Sequence, residues 1–175
     1  KTGKFVIDTK PTNLAELVEG ELSQLRETAQ ARELELMYKK PKDFPTLFLD
    51  ETKIRQVVMN FADNAIYYTP AGGHITVNVE DKGESVEFTV VDDGIGVPKS
   101  EQHNLFSKFY RAENAKKARP DGTGLGLFMA KKVIVAQGGA LIFKSAEGKG
   151  STFGFSFSKK ALSKPGTTTT TDDET

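Results

Sequence analysis

The sequence predicts an α/β chain in which a mixed β-sheet is covered by helices. Three observations carry that expectation. Two stretches, 13–30 and 54–67, repeat apolar residues at helical spacing. Two shorter stretches, Ile75-Val77-Val79 and Val86-Phe88-Val90, alternate apolar with polar residues on either side of Lys82-Gly83, as a β-hairpin does. Strands and helices do not alternate regularly along the chain, so a doubly wound parallel sheet is not expected.

Taken in order, Phe5-Val6-Ile7 is a short apolar run that reads as an edge strand. Pro11-Thr12-Asn13 supplies helix-start chemistry, and Leu14, Leu17, Val18, Leu22 and Leu25 then line one helical face. Leu34, Leu36 and Tyr38 alternate with charges as a half-buried strand, and 44–49 reads as a second strand after Pro41. Asp50 is placed to cap the next helix, whose apolar face is Ile54, Val57, Val58, Phe61, Ala62 and Ala65. Pro70-Ala71-Gly72-Gly73 ends it. After the hairpin, residues 94–123 dissolve into Gly, Pro, Lys and Asn around Leu105 to Tyr110, the pattern of a functional loop or lid. A helix over 127–136 stops at Gly138-Gly139, and two strands, 140–145 and 152–158, follow around Glu147-Gly148-Lys149-Gly150. From about residue 161 the Thr run and Asp172-Asp173-Glu174 read as a disordered tail, because that composition buries little. The domain is therefore expected over 1–160 and the tail over 161–175.

Composition narrows the function. The chain has 175 residues, room for one domain and little more. Lys+Arg 24 balances Asp+Glu 24, which argues against a nucleic-acid or anionic-membrane binder. There is no cysteine, which removes thiolate catalysis and cysteine-ligated metals. His74 and His103 are too few and too far apart for a histidine metal cluster. No apolar run approaches the roughly 20 residues of a membrane span, so the chain reads as cytosolic or as the soluble part of something larger.

Four clusters could carry chemistry. Asn60 and Asn64 sit four apart, so both amides share one face of the second helix. Amide oxygens are neutral hard donors suited to Mg²⁺ that keeps water and phosphate as its other ligands, although alone the pair reads more readily as a solvated polar face. Asp92, Gly94 and Gly96 form D-x-G-x-G after an apolar strand. A strand-end carboxylate can accept from an exocyclic amine, and glycines let backbone approach a flat ring. Gly122-Thr123-Gly124-Leu125-Gly126-Leu127 is G-x-G-x-G opening a helix; it is neither a dinucleotide fingerprint nor a P-loop, but free N–H groups there suit phosphate. Gly150-Ser151-Thr152-Phe153 alone is only a turn.

In this order and spacing, the clusters resemble the ATP-binding catalytic domain of sensor histidine kinases, in the superfamily shared with DNA gyrase and MutL. Gln56 to Pro70 is similar to that family's N box, Asp92 to Gly96 to its G1 box, Phe106 to Arg111 to its F box and Gly122 to Leu127 to its G2 box. The resemblance covers about residues 1–160. It implies a two-layer sandwich, with a mixed, mostly antiparallel sheet packed on one side by helices (the Bergerat ATP-binding fold). It further implies Mg²⁺ on Asn64 with Asn60 in support, and adenine on Asp92 with Gly94 and Gly96 beside it. Thr152 would join Asp92 through water, and Tyr68 would stack on the purine. Phe106 and Phe109 would anchor a lid over about 97–123, and Gly122, Thr123, Gly124, Leu125, Gly126 and Leu127 would hold the phosphates. Arg111 and Arg119 stand where such lids carry phosphate-contacting arginines.

The chain departs from the pattern at Tyr67, where the family usually has a phosphate-binding lysine. Neither His74 nor His103 has the phosphoacceptor setting H-[ED]-x-x-[STN]-P. The resemblance thus implies a γ-phosphoryl donor, with ATP and Mg²⁺ as ligands. The acceptor histidine would lie on a separate dimerisation domain, with a response regulator downstream. The piece itself is expected to be a cytoplasmic monomer, with a membrane-anchored sensor kinase as one parent the resemblance allows, and without nucleic-acid or membrane contacts of its own. A degenerate nucleotide-binding or docking module and a hydrolytic relative remain alternatives. A compact serine kinase or anti-sigma factor is a further one, disfavoured by the long lid.

Overall fold

The computed structural model describes residues 4–120, 122, 124–165 and 167–171. A five-stranded mixed sheet runs in the order β3 (Glu35–Tyr38), β5 (His74–Asp81), β6 (Ser85–Asp92), β8 (Gly150–Ser158), β7 (Ala140–Ala146). Only β3 and β5 are parallel; the remaining pairs are antiparallel. Two small antiparallel pairs stand apart, β2 (Lys10–Asn13) with β4 (Thr46–Leu49) and β1 (Lys4–Asp8) with β9 (Thr167–Thr171).

Alternation in the strands sends one row of side chains inward. Ile75, Val77, Val79, Val86, Phe88, Val90, Phe155 and Phe157 are buried in the core, while Val91, on the other face, is exposed. Against that row pack α1 (Leu14–Ala31), α2 (Glu51–Tyr68) and α4 (Gly126–Ala136), whose apolar faces share one core with the sheet. The two-layer arrangement matches the expected fold class. Both long helices begin where cap chemistry predicts: Asn13 Oδ1 accepts from Glu16 N at 3.2 Å and Asp50 Oδ1 from Lys53 N at 3.1 Å. Arg55 of α2 reaches Glu21 of α1 at 3.1 Å and Glu51 of its own helix at 2.6 Å, fixing how the helices lie together.

The tail differs from expectation. Thr167–Thr171 pairs in register with β1, from Lys4 opposite Thr171 to Asp8 opposite Thr167. Threonine is β-branched and favours strands, and the edge of β1 offers unpaired backbone groups to such a run. Leu162 is also buried, its carbonyl accepting from Phe48 N at 2.9 Å. Residues 172–175 lie outside the described residues.

Gly154 is a tight point in the centre of the sheet. It sits opposite Thr89, and a Cβ there would overlap the carbonyl oxygen of Phe88. Gly154→Ala is therefore expected to lower folding stability by about 2–3 kcal/mol, because the clash is with backbone in the sheet centre. Urea denaturation measures this; an unchanged midpoint would contradict it.

Candidate functional site: a cleft between α2, the sheet end and a lid

The ends of β6 and β8, one face of α2 and the described residues of 97–124 enclose a cavity of about 270 Å³. Asp92 is the last residue of β6 and lies at its floor. It is only 8% exposed, yet it carries a carboxyl group. Its Oδ1 accepts from Gly94 N at 2.9 Å and from Ser151 N at 3.2 Å. Burial pushes its pKa up to about 6, against the opposing pull of those two hydrogen bonds. With Oδ1 satisfied by two donors, Oδ2 is the oxygen that remains for a ligand.

The loop after Asp92 is braced from outside. Ile95 N donates to Tyr68 O at 3.0 Å, and Gly148 N donates to Ile95 O at 2.8 Å. Gly96 has φ +67, and a Cβ there would overlap Ala146 O, so both conformation and space demand glycine. Val97 N donates to Ser145 Oγ at 2.8 Å. Ser145 Oγ in turn lies 3.0 Å from Gly150 O and 2.8 Å from Ser151 Oγ. Its single proton serves Gly150 O, so Ser151 Oγ donates to Ser145 while Ser151 N holds Asp92 Oδ1. Behind the loop, His74 Nδ1 meets Asp93 Oδ2 at 2.9 Å, and this hydrogen bond raises the imidazole's pKa.

At the other end, α2 turns Asn60, Asp63, Asn64 and Tyr68 into the cavity. Asn60 Nδ2 donates to Gly126 O, at the start of α4, at 3.4 Å. The amide of Asn64 lines the cavity and makes no hydrogen bond to the described residues.

The lid is ordered internally. Its described part includes a 3-10 helix over Lys99–Asn104 and α3 (Glu113–Ala118). Phe106 inserts between sheet residues, its ring 5.6 Å from Phe143 and 6.2 Å from Phe153. Gln102 Nε2 donates to Val97 O and Ser145 O, both at 3.0 Å. Arg111 ties the far side: Nη1 donates to Gly122 O at 3.2 Å, and Nη2 to Tyr68 Oη and Ala115 O, both at 3.1 Å, and to Arg119 O. Arg119 contacts Asp63 Oδ2 at 3.3 Å and lies 4.0 Å above the Tyr67 ring centroid.

Most residues expected at a site meet here. Asn60, Asn64, Tyr68, Asp92, Gly96, Arg111, Arg119, Gly122, Gly124, Gly126 and Leu127 all line the cavity. Phe106 anchors the lid as expected. Others need correction. Thr152 does not line it: Thr152 pairs with Val91, and Ser151 pairs with Asp92, so the strand's alternation turns Ser151 inward instead. Phe109 does not anchor the lid; its φ of +65 turns the ring out to 65% exposure, and only its backbone latches, N to Gly124 O at 3.1 Å. Gly94 stands behind the cavity as a turn, where a Cβ would overlap Tyr68 O. Leu125 lines a separate shallow groove with Met59 and Met129. Thr123 lies outside the described residues. Arg111 is committed to three lid carbonyls and to Tyr68 Oη of α2, so its part is to hold the lid to that helix.

The sequence reading missed Ser151, Asp63, Leu105, Phe153 and Asn114, all of which line the cavity. Asn114 Nδ2 donates to Gly96 O at 2.9 Å, joining α3 to the glycine loop. Pairing Asp92 with its strand partner would have found Ser151; no local signal marks Asn114.

A buried carboxylate between glycines, an amide pair on the facing helix and a lid with a glycine-rich end define an ATP-binding domain of the two-layer kinase and ATPase type. Comparison with known proteins agrees. The family described as "Histidine kinase-, DNA gyrase B-, and HSP90-like ATPase" matches residues 49–161, and the chain belongs to it. It is 39% identical over 145 residues to the adaptive-response sensory kinase SasA of Synechococcus sp. (strain JA-3-3Ab), covering 82% of this chain and 38% of that one. The nucleotide-free catalytic domain of histidine kinase ThkA superposes with a TM-score of 0.75 at 27% identity, over 87% of this chain and 96% of that one. Full-length ShkA, solved with AMPPNP, superposes with a TM-score of 0.71 at 28% identity, over 85% of this chain and 30% of that one. The homologues are sensor histidine kinases, so the module is of the protein-histidine kinase family. The chain spans well under half the length of SasA. Among the described residues, no helix is long and apolar enough to cross a membrane.

Proposed function

We propose that this chain binds Mg²⁺-ATP in the cleft and donates the γ-phosphoryl group to a histidine on a separate dimerisation domain, in the cytoplasm, with a response regulator downstream. One observation carries the reading: a buried carboxylate with one committed oxygen stands at the floor of a cavity whose facing wall presents an unbonded amide, Asn64.

In this reading Asp92 Oδ2 accepts from the adenine amino group, and Gly96 lets the ring lie against backbone. The Tyr68 ring covers the purine, its hydroxyl held by Arg111. Backbone N–H groups of Gly124 and Gly126, which line the cavity at the start of α4, would face the phosphates. The donor set also fits the metal. Among the described residues no group of three or more His, Cys, Asp or Glu could hold an ion. An amide oxygen, phosphates and water suit Mg²⁺, which dehydrates reluctantly. Asn64 would hold it with Asn60 adjacent, and when bound it supplies neutralisation of phosphate charge. The protein's own task is positioning: an imidazole nitrogen of the acceptor attacks the γ-phosphorus in line, the bond to the β–γ bridging oxygen breaks, and ADP leaves. Hydrolysis is disfavoured, because Asn60 stands one turn before Asn64 and an amide takes no proton from water.

The test is transfer of labelled γ-phosphate from ATP to a supplied histidine-bearing helical domain. Acid-labile phosphohistidine is expected, and Asn64→Ala is expected to reduce its rate at least about a hundredfold. Label appearing only as inorganic phosphate would establish a hydrolase. No ATP consumption at all would establish a docking module.

A further inference from the structure

The residue that stands where the resemblance leads one to expect a lysine has two cations over it. The Tyr67 ring centroid lies 4.0 Å from the Arg119 guanidinium carbon and 4.9 Å from that of Arg32. Arg32 belongs to the helix end: its Nε donates to Ile66 O at 3.3 Å and its Nη2 to Tyr67 O at 3.4 Å. Arg119 belongs to the lid and comes from the far side of the cavity. Asp63, one helical turn before Tyr67, holds it by a carboxylate contact of 3.3 Å, with both side chains about one third exposed. Asn60, Asp63, Asn64 and Tyr67 follow at i, i+3, i+4 and i+7, so they form one stripe of α2. Arg119 therefore docks on the same stripe that presents Asn60 and Asn64, and it lines the cavity there.

We propose that Tyr67 is a positioning residue that captures the lid's Arg119 and sets its guanidinium against the Asn60–Asn64 stripe, as the cation for the terminal phosphate of bound nucleotide. The inference rests on the ATP reading above. An aromatic face attracts a guanidinium without adding charge, and a desolvated arrangement strengthens the attraction. A lysine at 67 would carry a cation on the helix itself but would repel both Arg119 and Arg32. With tyrosine, the helix lends the aromatic face and the lid lends the charge. The cation is then in place only when the lid is docked, so recognition of the terminal phosphate and closure become one event. Asp63 Oδ2, at 3.3 Å from Arg119 Nη1, keeps the guanidinium from swinging into solvent and on the cavity side of α2.

The experiment compares Tyr67→Leu, Tyr67→Phe, Tyr67→Lys, Arg119→Ala and the Tyr67→Leu/Arg119→Ala pair by two readouts. Calorimetry measures affinity for Mg²⁺-ATP and for adenosine. Trypsin cleavage at the exposed Lys116 and Lys117 reports lid docking without any nucleotide. Tyr67→Leu and Arg119→Ala are each expected to weaken ATP about five- to tenfold while adenosine changes less than twofold. The pair should be no worse than either single variant, and Tyr67→Phe should behave as the parent. Tyr67→Leu and Tyr67→Lys should both speed cleavage in the ligand-free chain. Multiplying effects in the pair, equal losses for adenosine and ATP, or a Leu variant cleaved and binding as the parent does would each overturn the proposal. A parent that binds no ATP, with Tyr67→Leu still loosening the lid, would overturn the nucleotide reading and leave Tyr67 as a lid anchor alone.

Discussion

Asp92→Asn is expected to yield a protein that melts higher than the parent and no longer binds ATP. Both effects come from one carboxyl group. Asn keeps the oxygen that accepts from Gly94 N and Ser151 N, and it puts an NH₂ group where Oδ2 was. In the ligand-free protein this removes a buried charge. Burial raises the Asp92 pKa from 3.8 to about 6, a gap of about 2 units, worth roughly 3 kcal/mol. The sign follows from the direction of the shift. Below about pH 4 the group is neutral in both the folded and the unfolded chain and costs nothing. Between about pH 4 and 6 the unfolded chain ionises first, so stability falls as pH rises. Above pH 6 the full cost is present. At pH 7.5 the variant should therefore gain about 2–3 kcal/mol, seen as a melting temperature some 5–8 °C higher. At pH 4 the gain should vanish. The same NH₂ group would face the adenine amine donor to donor, so affinity should drop at least about a hundredfold. A variant that melts lower at pH 7.5, or that binds ATP as the parent does, would contradict this account of Asp92.

Arg111→Ala is expected to open the lid without unfolding the domain. The guanidinium donates to Tyr68 Oη, Ala115 O, Arg119 O and Gly122 O, which joins α2, α3 and the two ends of the segment that leads to α4. Hydrogen bonds from a charged donor contribute about 1.5–3 kcal/mol each, and those sharing Nη2 contribute less than their sum. A local loss of about 3 kcal/mol corresponds to a roughly hundredfold rise in the open population. Trypsin should then cleave at Lys116 and Lys117 about a hundredfold faster, while the urea midpoint of the sheet changes little. Lysine should not rescue it, because an ammonium is a point and these oxygens surround a planar fork. Cleavage at the parent rate would show that the lid is held by Phe106 and Gln102 alone.

The partners of Arg111 and Arg119 show where sequence reading ends. The apolar periods of α1 and α2 and the alternation of β5 and β6 were legible because burial repeats with the backbone. Asp50 and Asn13 were legible as caps because a cap needs only a short side chain and its own backbone neighbours. The site boxes were legible as a combination, although each alone was weak. What escaped depends on register or on long side chains. The sequence reading starts the strand after Lys149 at residue 152, whereas β8 begins at Gly150. Within it, the residue paired with Asp92 is Ser151, not Thr152. Phe109 looks like Phe106 in sequence, but one left-handed backbone turn puts its ring in water. Thr167–Thr171 is polar enough to read as tail, and it finds the edge of a strand more than 150 residues earlier. Arg111, Arg119 and Tyr67 meet through contacts that no spacing encodes.

The central claim is that the cleft is an ATP site built on Asp92 and Asn64, and calorimetry of Mg²⁺-ATP into the unmodified chain tests it most directly. One molecule bound per chain is expected, with a dissociation constant between about 1 μM and 1 mM. The affinity should weaken when the metal is removed and disappear in Asp92→Asn. No heat of binding at millimolar ATP, with or without Mg²⁺, would contradict the claim.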